Sequence, residues 1–167
     1  MLIRCTQKAR KRLHLKPSDL TQVPDTENLT EWYCNVAVLE RRPYFLLTHR
    51  LTLFAFWMPL KGNTDHAEFG RKVREYARNN LKNVGIEVVD MVPVLDDDQD
   101  IFAKTVDRAV LGSMVDYVHL TKHQIDYRGG RDGVVFLDEL SRYLNDVPMS
   151  AIGMDPPRTH MKFLVDS

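Results

Sequence analysis

Cysteine is scarce: the chain has two, Cys5 and Cys34, among 167 residues, and they form no C-x-x-C pair. A disulfide framework and a zinc ribbon are thereby excluded, and a reducing, cytoplasmic compartment is expected. Glycine and proline are also sparse, at 8 each, too few for a collagen-like or low-complexity chain. Neither sign of charge is in excess, since 23 Lys and Arg balance 23 Asp and Glu. No global field therefore draws the molecule to nucleic acid or to an anionic membrane, and any electrostatic partner must meet a local patch. No run approaches the roughly 18 apolar residues of a membrane span, and the apolar stretch before the first charges is too short for a signal peptide. Neither secretion nor membrane insertion is expected, and no internal repeat is evident.

What is present suits one folded domain over residues 1 to 167. With 44% hydrophobic residues, a chain of this length buries roughly two-thirds of its unfolded surface without needing a metal or a disulfide. Leu2 to Cys5 reads as a short strand. Thr6 stands at an N-cap position before a helix over 7 to 15, which Pro17 stops. Residues 17 to 31 are rich in Pro, Ser, Thr, Asp and Asn and read as a connecting loop. From Trp32 the period becomes two: Trp32, Cys34, Val36 and Val38 share one face, and Tyr33, Asn35, Ala37 and Leu39 share the other. Polar interruptions at 40 to 43 and 48 to 50 divide the stretch to Met58 into a three-strand antiparallel meander.

Helical spacing returns with Phe69, Val73, Tyr76, Ala77 and Leu81, and Gly85 stands where a left-handed C-terminal cap belongs. Residues 86 to 95 and 101 to 104 read as strands, with the acidic DDDQD turn between them. A second helical stripe runs through 106 to 126 on Val106, Val110, Met114, Tyr117, Val118 and Ile125. A third helix is expected from near Asp132 or Gly133 to Pro148, and a short one over 158 to 165. Strands early and helices late indicate an α+β fold, with helices packed on one face of a mainly antiparallel sheet.

No strong catalytic motif emerges. His119 and His123 are four apart, with Asp116 and Asp126 nearby, which is the spacing of two imidazoles on one helical face. The set lacks the Glu of H-E-x-x-H and reads as a solvated surface, so no metal or other cofactor is expected. Cys34, Cys5 and Ser113, with His49 as a base, are the candidates for nucleophilic chemistry, but Cys34 in an alternating strand reads as a small buried hydrophobe. Gly129, Gly130 and Gly133 before a helix could cradle phosphate, and read instead as turn glycines. Lys8, Arg10, Lys11 and Arg12 on the first helix, with Arg41 and Arg42 at a hairpin tip, are candidate phosphate contacts for nucleic acid. The aromatic residues Trp32, Tyr33, Tyr44, Phe45, Phe54, Phe56 and Trp57 supply either core or an exposed sheet surface fit for a homodimer interface.

The opening MLIRCTQK, Trp32-Tyr33-Cys34-Asn35 leading into Arg41-Arg42, Leu46-Leu47-Thr48 with Thr52-Leu53, the run from Asp107 to Met114, and Leu144 to Met149 together resemble a family of small uncharacterised bacterial proteins. The similarity covers nearly the whole chain. It implies a bacterial, cytoplasmic, single-domain protein and supplies no catalytic residues. A ligand site is expected where the helix over 106 to 126 meets the sheet, from Thr6, Asn35, Thr48, Arg108 and Ser113, polar residues embedded in apolar segments. The competing reading of those five is capping and buried hydrogen bonding. The function expected from the residues is a non-enzymatic binding module that self-associates and engages a protein or small molecule; the alternative is a nucleic-acid-binding or nucleic-acid-processing protein.

Overall fold

The computed structural model describes residues 1–25, 28–60, 65–87, 95, 99–128 and 136–167. Its first strand, β1 (Leu2–Cys5), ends at Thr6, whose hydroxyl accepts from the Ala9 amide and caps α1 (Gln7–Arg12). A single 3-10 turn at Pro17–Asp19 and an extended segment then lead to β2 (Glu31–Leu39). β3 (Arg42–His49) and β4 (Ala55–Pro59) complete the meander. Glu40 and Arg41 form the two-residue hairpin loop between β2 and β3, both with positive φ of 46° and 66°. That is the twist a tight hairpin demands, here met without glycine.

α2 (His66–Asn83) ends near Gly85, which has φ 78° as its position predicts. β5 (Ile101–Lys104), α3 (Arg108–Tyr127), α4 (Leu137–Asp146) and α5 (Pro157–Asp166) follow. The expected strand over 86 to 95, the acidic turn after it and the three glycines at 129, 130 and 133 fall largely or wholly outside the described residues. Among the described residues, no helix is long and apolar enough to cross a membrane.

The fold is α+β, around one five-stranded sheet of order β4-β3-β2-β1-β5. The sheet is mixed: β2, β3 and β4 are antiparallel, while β1 lies parallel to both β2 and β5. A parallel neighbour needs a long crossover, and α1 with the segment after it supplies that between β1 and β2.

Helices cover both faces rather than the one face expected. Ile3, Cys5, Trp32, Cys34, Phe45, Leu47 and Phe56 pack with α1, α2 and α5 through Ala9, Phe69, Val73, Ala77 and Met161. Tyr33, Leu46, Ala55 and Trp57 pack on the opposite side with α3 and α4 through Val110, Met114, Tyr117, Leu140 and Leu144. The cause is visible in β2, where both alternate sets are apolar but for Asn35; a strand that is mainly greasy on both sides must be buried on both. The aromatic residues proposed as an exposed surface are consumed by these two cores, each being 8% exposed or less.

The free edge at β4 is closed by side chains. Asn145 on α4 accepts from the Ala55 amide at 2.9 Å and donates to the Ala55 carbonyl at 2.7 Å, and Ser141 one turn earlier accepts from the Trp57 amide at 2.9 Å. A helix thereby satisfies backbone groups that would otherwise invite a further strand.

Candidate functional site

The five polar residues singled out for a ligand are scattered by the fold. Thr6 and Asn35 do meet: the Thr6 hydroxyl donates to Asn35 Oδ1 at 2.9 Å, tying the start of α1 to β2. Ser113 is buried and donates to the Ala109 carbonyl of its own helix. Arg108 is exposed at the start of α3, where Asp107 supplies the cap. Thr48 lies opposite Tyr33 and Ala55 in the sheet, fully buried, with its hydroxyl unpartnered among the described residues. Capping and interior hydrogen bonding account for Thr6 and Ser113.

A different place has the geometry of a site. β1 and β5 are parallel neighbours, so their carboxyl ends lie side by side. After β1 the chain passes into α1, on the face of Ile3 and Trp32; after β5 it passes into α3, on the face of Tyr33 and Trp57. Adjacent parallel strands whose continuations leave to opposite faces open a crevice at their carboxyl ends, where open mixed and parallel sheets bind ligands. A pocket of about 470 Å³ occupies that position, lined by Arg4, Arg10, Pro17, Leu20, Thr21, Gln22, Val23, Lys104 and Val106. Its volume lies in the range typical of small-molecule sites.

Three cations border this pocket, and their states differ. Arg4, 1% exposed, donates through Nε to Glu31 at 2.6 Å, through Nη1 to the Lys104 carbonyl and through Nη2 to the carbonyls of Val23 and Pro24. Glu31, itself fully buried, also receives Arg50 Nη1 at 3.2 Å. Arg50 in turn reaches Asp25 at 2.5 Å and Asp107 at 3.6 Å. Arg4 is thus a neutralised structural post that holds the segment 17–25 across the crevice. Such a buried pair endures because its remaining donors and acceptors are also met.

Arg10 makes no ion pair among the described residues. Its Nε is buried and has no hydrogen-bond partner among the described residues. The next two residues, Lys11 and Arg12, are exposed and along with Arg10 occupy the last turn of α1, where the helix dipole favours positive charge. A cationic donor withdrawn from water with nothing to bond is costly, and Arg10 also brings its charge to the lining of the pocket. Lys104, exposed at the end of β5, adds a second positive charge beside the same space.

The remaining candidates separate cleanly. Lys8, Lys11 and Arg12 are solvent-exposed on α1, Arg41 occupies the hairpin turn, and Arg42 is exposed at the start of β3. Asp116, His119 and His123 do line a common, shallow pocket of about 560 Å³ with Met149 and Met154. Among the described residues, no group of three or more His, Cys, Asp or Glu side chains is arranged to hold a metal ion. Cys5 and Cys34 are register partners on neighbouring strands, both buried, and burial pushes the Cys34 thiol well up. A nucleophilic thiol needs the opposite environment. His49 is likewise buried, with Nε2 on the Leu29 carbonyl at 2.9 Å and Nδ1 on the Thr52 hydroxyl at 3.0 Å, which leaves it no ring nitrogen for chemistry.

A family model matches residues 2–160. The chain belongs to the DUF6933 family, a domain of unknown function. No curated protein matches it, and no solved structure does. The crevice in this DUF6933 domain is built mainly from residues that sequence reasoning left outside any site: Arg4, Thr21, Gln22 and Lys104, together with Val106, which helical spacing places on the stripe over 106 to 126 and which instead precedes α3 and is 44% exposed. Only Arg10 had been marked, and then as a phosphate contact on an open helix. The available signal was a charged residue at the last positions of each of two short strands, Arg4 in LIRC and Lys104 in IFAK. It becomes legible only once those strands are known to be parallel neighbours.

Proposed function

We propose that this DUF6933 domain is a non-enzymatic binding module that holds a small anion in the crevice between α1, the 17–24 segment and the carboxyl ends of β1 and β5. The observation that carries the reading is a pocket lined by two cations, Arg10 and Lys104, that make no ion pair among the described residues. Arg4 is held rigid beneath by Glu31 and three backbone carbonyls, so the wall behind the anion is preorganised. A cytoplasmic location agrees with two cysteines that are buried as free thiols. The test is thermal unfolding with acetate, phosphate or chloride at matched ionic strength, on the native chain and on Arg10→Gln. A ligand at 100 times its dissociation constant adds about 3 kcal/mol, read as a rise in Tm that the variant loses. Equal shifts in both proteins would refute the assignment.

The nucleic-acid reading keeps one observation in its favour. The Thr6–Asn35 bond anchors the start of α1 to β2, the strand that runs into the Arg41–Arg42 hairpin, and Lys8, Lys11, Arg12, Arg41 and Arg42 are all exposed. Phosphate contacts make affinity fall steeply with salt; filter binding across a salt series separates that behaviour from small-anion binding. Self-association, proposed from the aromatic content, has to use some face other than the buried aromatic sheet. Light scattering at increasing protein concentration tests it.

A further inference from the structure

We infer that the ligand of the crevice is an amphiphile, an organic carboxylate with an apolar body, rather than a bare oxyanion. This inference rests on the anion-binding reading given above. Three features of the pocket carry it.

The first is size: about 470 Å³ is far more than a five-heavy-atom oxyanion fills. The second is the division of the lining. The ionic groups come from α1 and the strand ends, whereas Pro17, Leu20 and Val23 of the crossing segment and Val106 of the β5–α3 link present apolar surface to the same space. Val106 is 44% exposed, an apolar side chain at the pocket wall whose covering is incomplete within the chain. A hydrophilic ion alone leaves that surface wet; an alkyl or aryl body covers it. The third is the charge of Arg10, which lines the pocket and makes no ion pair among the described residues. A guanidinium offers two parallel N–H bonds that match the two oxygens of a planar carboxylate.

Lys104 then supplies a point charge from the adjacent end of β5. Arg4 contributes position rather than binding charge, since its guanidinium is already committed to Glu31 and to the carbonyls of Val23, Pro24 and Lys104. The same bonds fix the crossing segment that carries Leu20 and Val23, so the apolar wall and the ionic wall are set by one side chain.

Calorimetric titration with acetate, butanoate, hexanoate and octanoate, and with inorganic phosphate and 1-octanol, tests the inference. Affinity is expected to rise about fourfold per added methylene until the pocket is filled, with 1-octanol binding at least tenfold more weakly than octanoate. Val106→Thr, a near-isosteric change at a partly exposed position, is expected to flatten the chain-length dependence. If acetate and phosphate bind as well as octanoate and all depend on Arg10, the amphiphile inference is overturned and the anion site stands. If octanol equals octanoate, the pocket is merely greasy and both fail. If nothing binds, both fail as well.

Discussion

His49 allows the packing account to be tested through pH. Its ring is fully buried and lies edge-on to Trp32, with centroids 5.0 Å apart. The Leu29 carbonyl can only accept, so Nε2 carries the proton, and Nδ1 then accepts from the Thr52 hydroxyl. Burial of the ring lowers its pKa from the ordinary 6.5 to about 4, against the smaller opposing pull of the Leu29 carbonyl. The unfolded chain therefore binds a proton that the native chain refuses throughout that window, and stability falls as pH falls through it. Above pH 6.5 the full contribution is present; below about pH 4 it is gone. The 6.5-to-4 displacement corresponds to about 3 kcal/mol at ~1.4 kcal/mol per unit, of which about 2 kcal/mol is lost by pH 5. Urea unfolding of the native chain and of His49→Gln at intervals from pH 7.5 to 4.5 measures it. Glutamine keeps a donor for Leu29 and removes the titration, and every other ionisable group is common to both proteins. The gap between the two stability curves should close as the medium is acidified. Parallel curves would refute the reasoning.

Other predictions concern the edge clasp, the helix packing and the ionic floor. Asn145→Ala leaves the Ala55 amide and carbonyl unpaired at the buried edge of β4, and should cost about 3 kcal/mol by chemical denaturation. Gly70→Ala should destabilise, because a methyl there would sit 1.9 Å from Asp100 Oδ2 and disrupt the carboxylate that binds Arg74 and the N-terminal ammonium. Gly112→Ala, with nothing within 4 Å of the added methyl, should instead stabilise by up to about 1 kcal/mol; the same substitution in two helices thus has opposite signs. Glu31→Gln removes the carboxylate between Arg4 and Arg50 and should cost roughly 3–5 kcal/mol in the same assay. Cys5 and Cys34 should resist a thiol-reactive disulfide reagent in the native state and react fully on unfolding.

Local patterns carried most of the elements. Thr6 as a cap, the meander from Trp32, Gly85 as a left-handed stop and the stripe of Val110, Met114 and Tyr117 are all decided by neighbours within a few residues, and the structure has each. Pairing between distant strands is decided elsewhere. Leu2–Cys5 and Ile101–Lys104 are four residues each, too short to announce a partner, and their parallel union creates the crevice. The two-faced cover was written in β2, where Tyr33 and Leu39 are as apolar as Trp32 and Val36. Periodicity assigned the faces correctly and did not say that both would be roofed. Arg4 illustrates the remaining gap: in sequence it is one more basic residue near the N-terminus, and in the fold it is 1% exposed and fixes a whole segment.

The most direct test of the ligand assignment is a crystal grown with 4-bromobenzoate and measured at the bromine absorption edge. The account predicts an anomalous peak among Leu20, Val23 and Val106, with the carboxylate seated on Arg10. A pocket empty at saturating ligand, with Arg10 paired to an acidic side chain of its own chain, would contradict it.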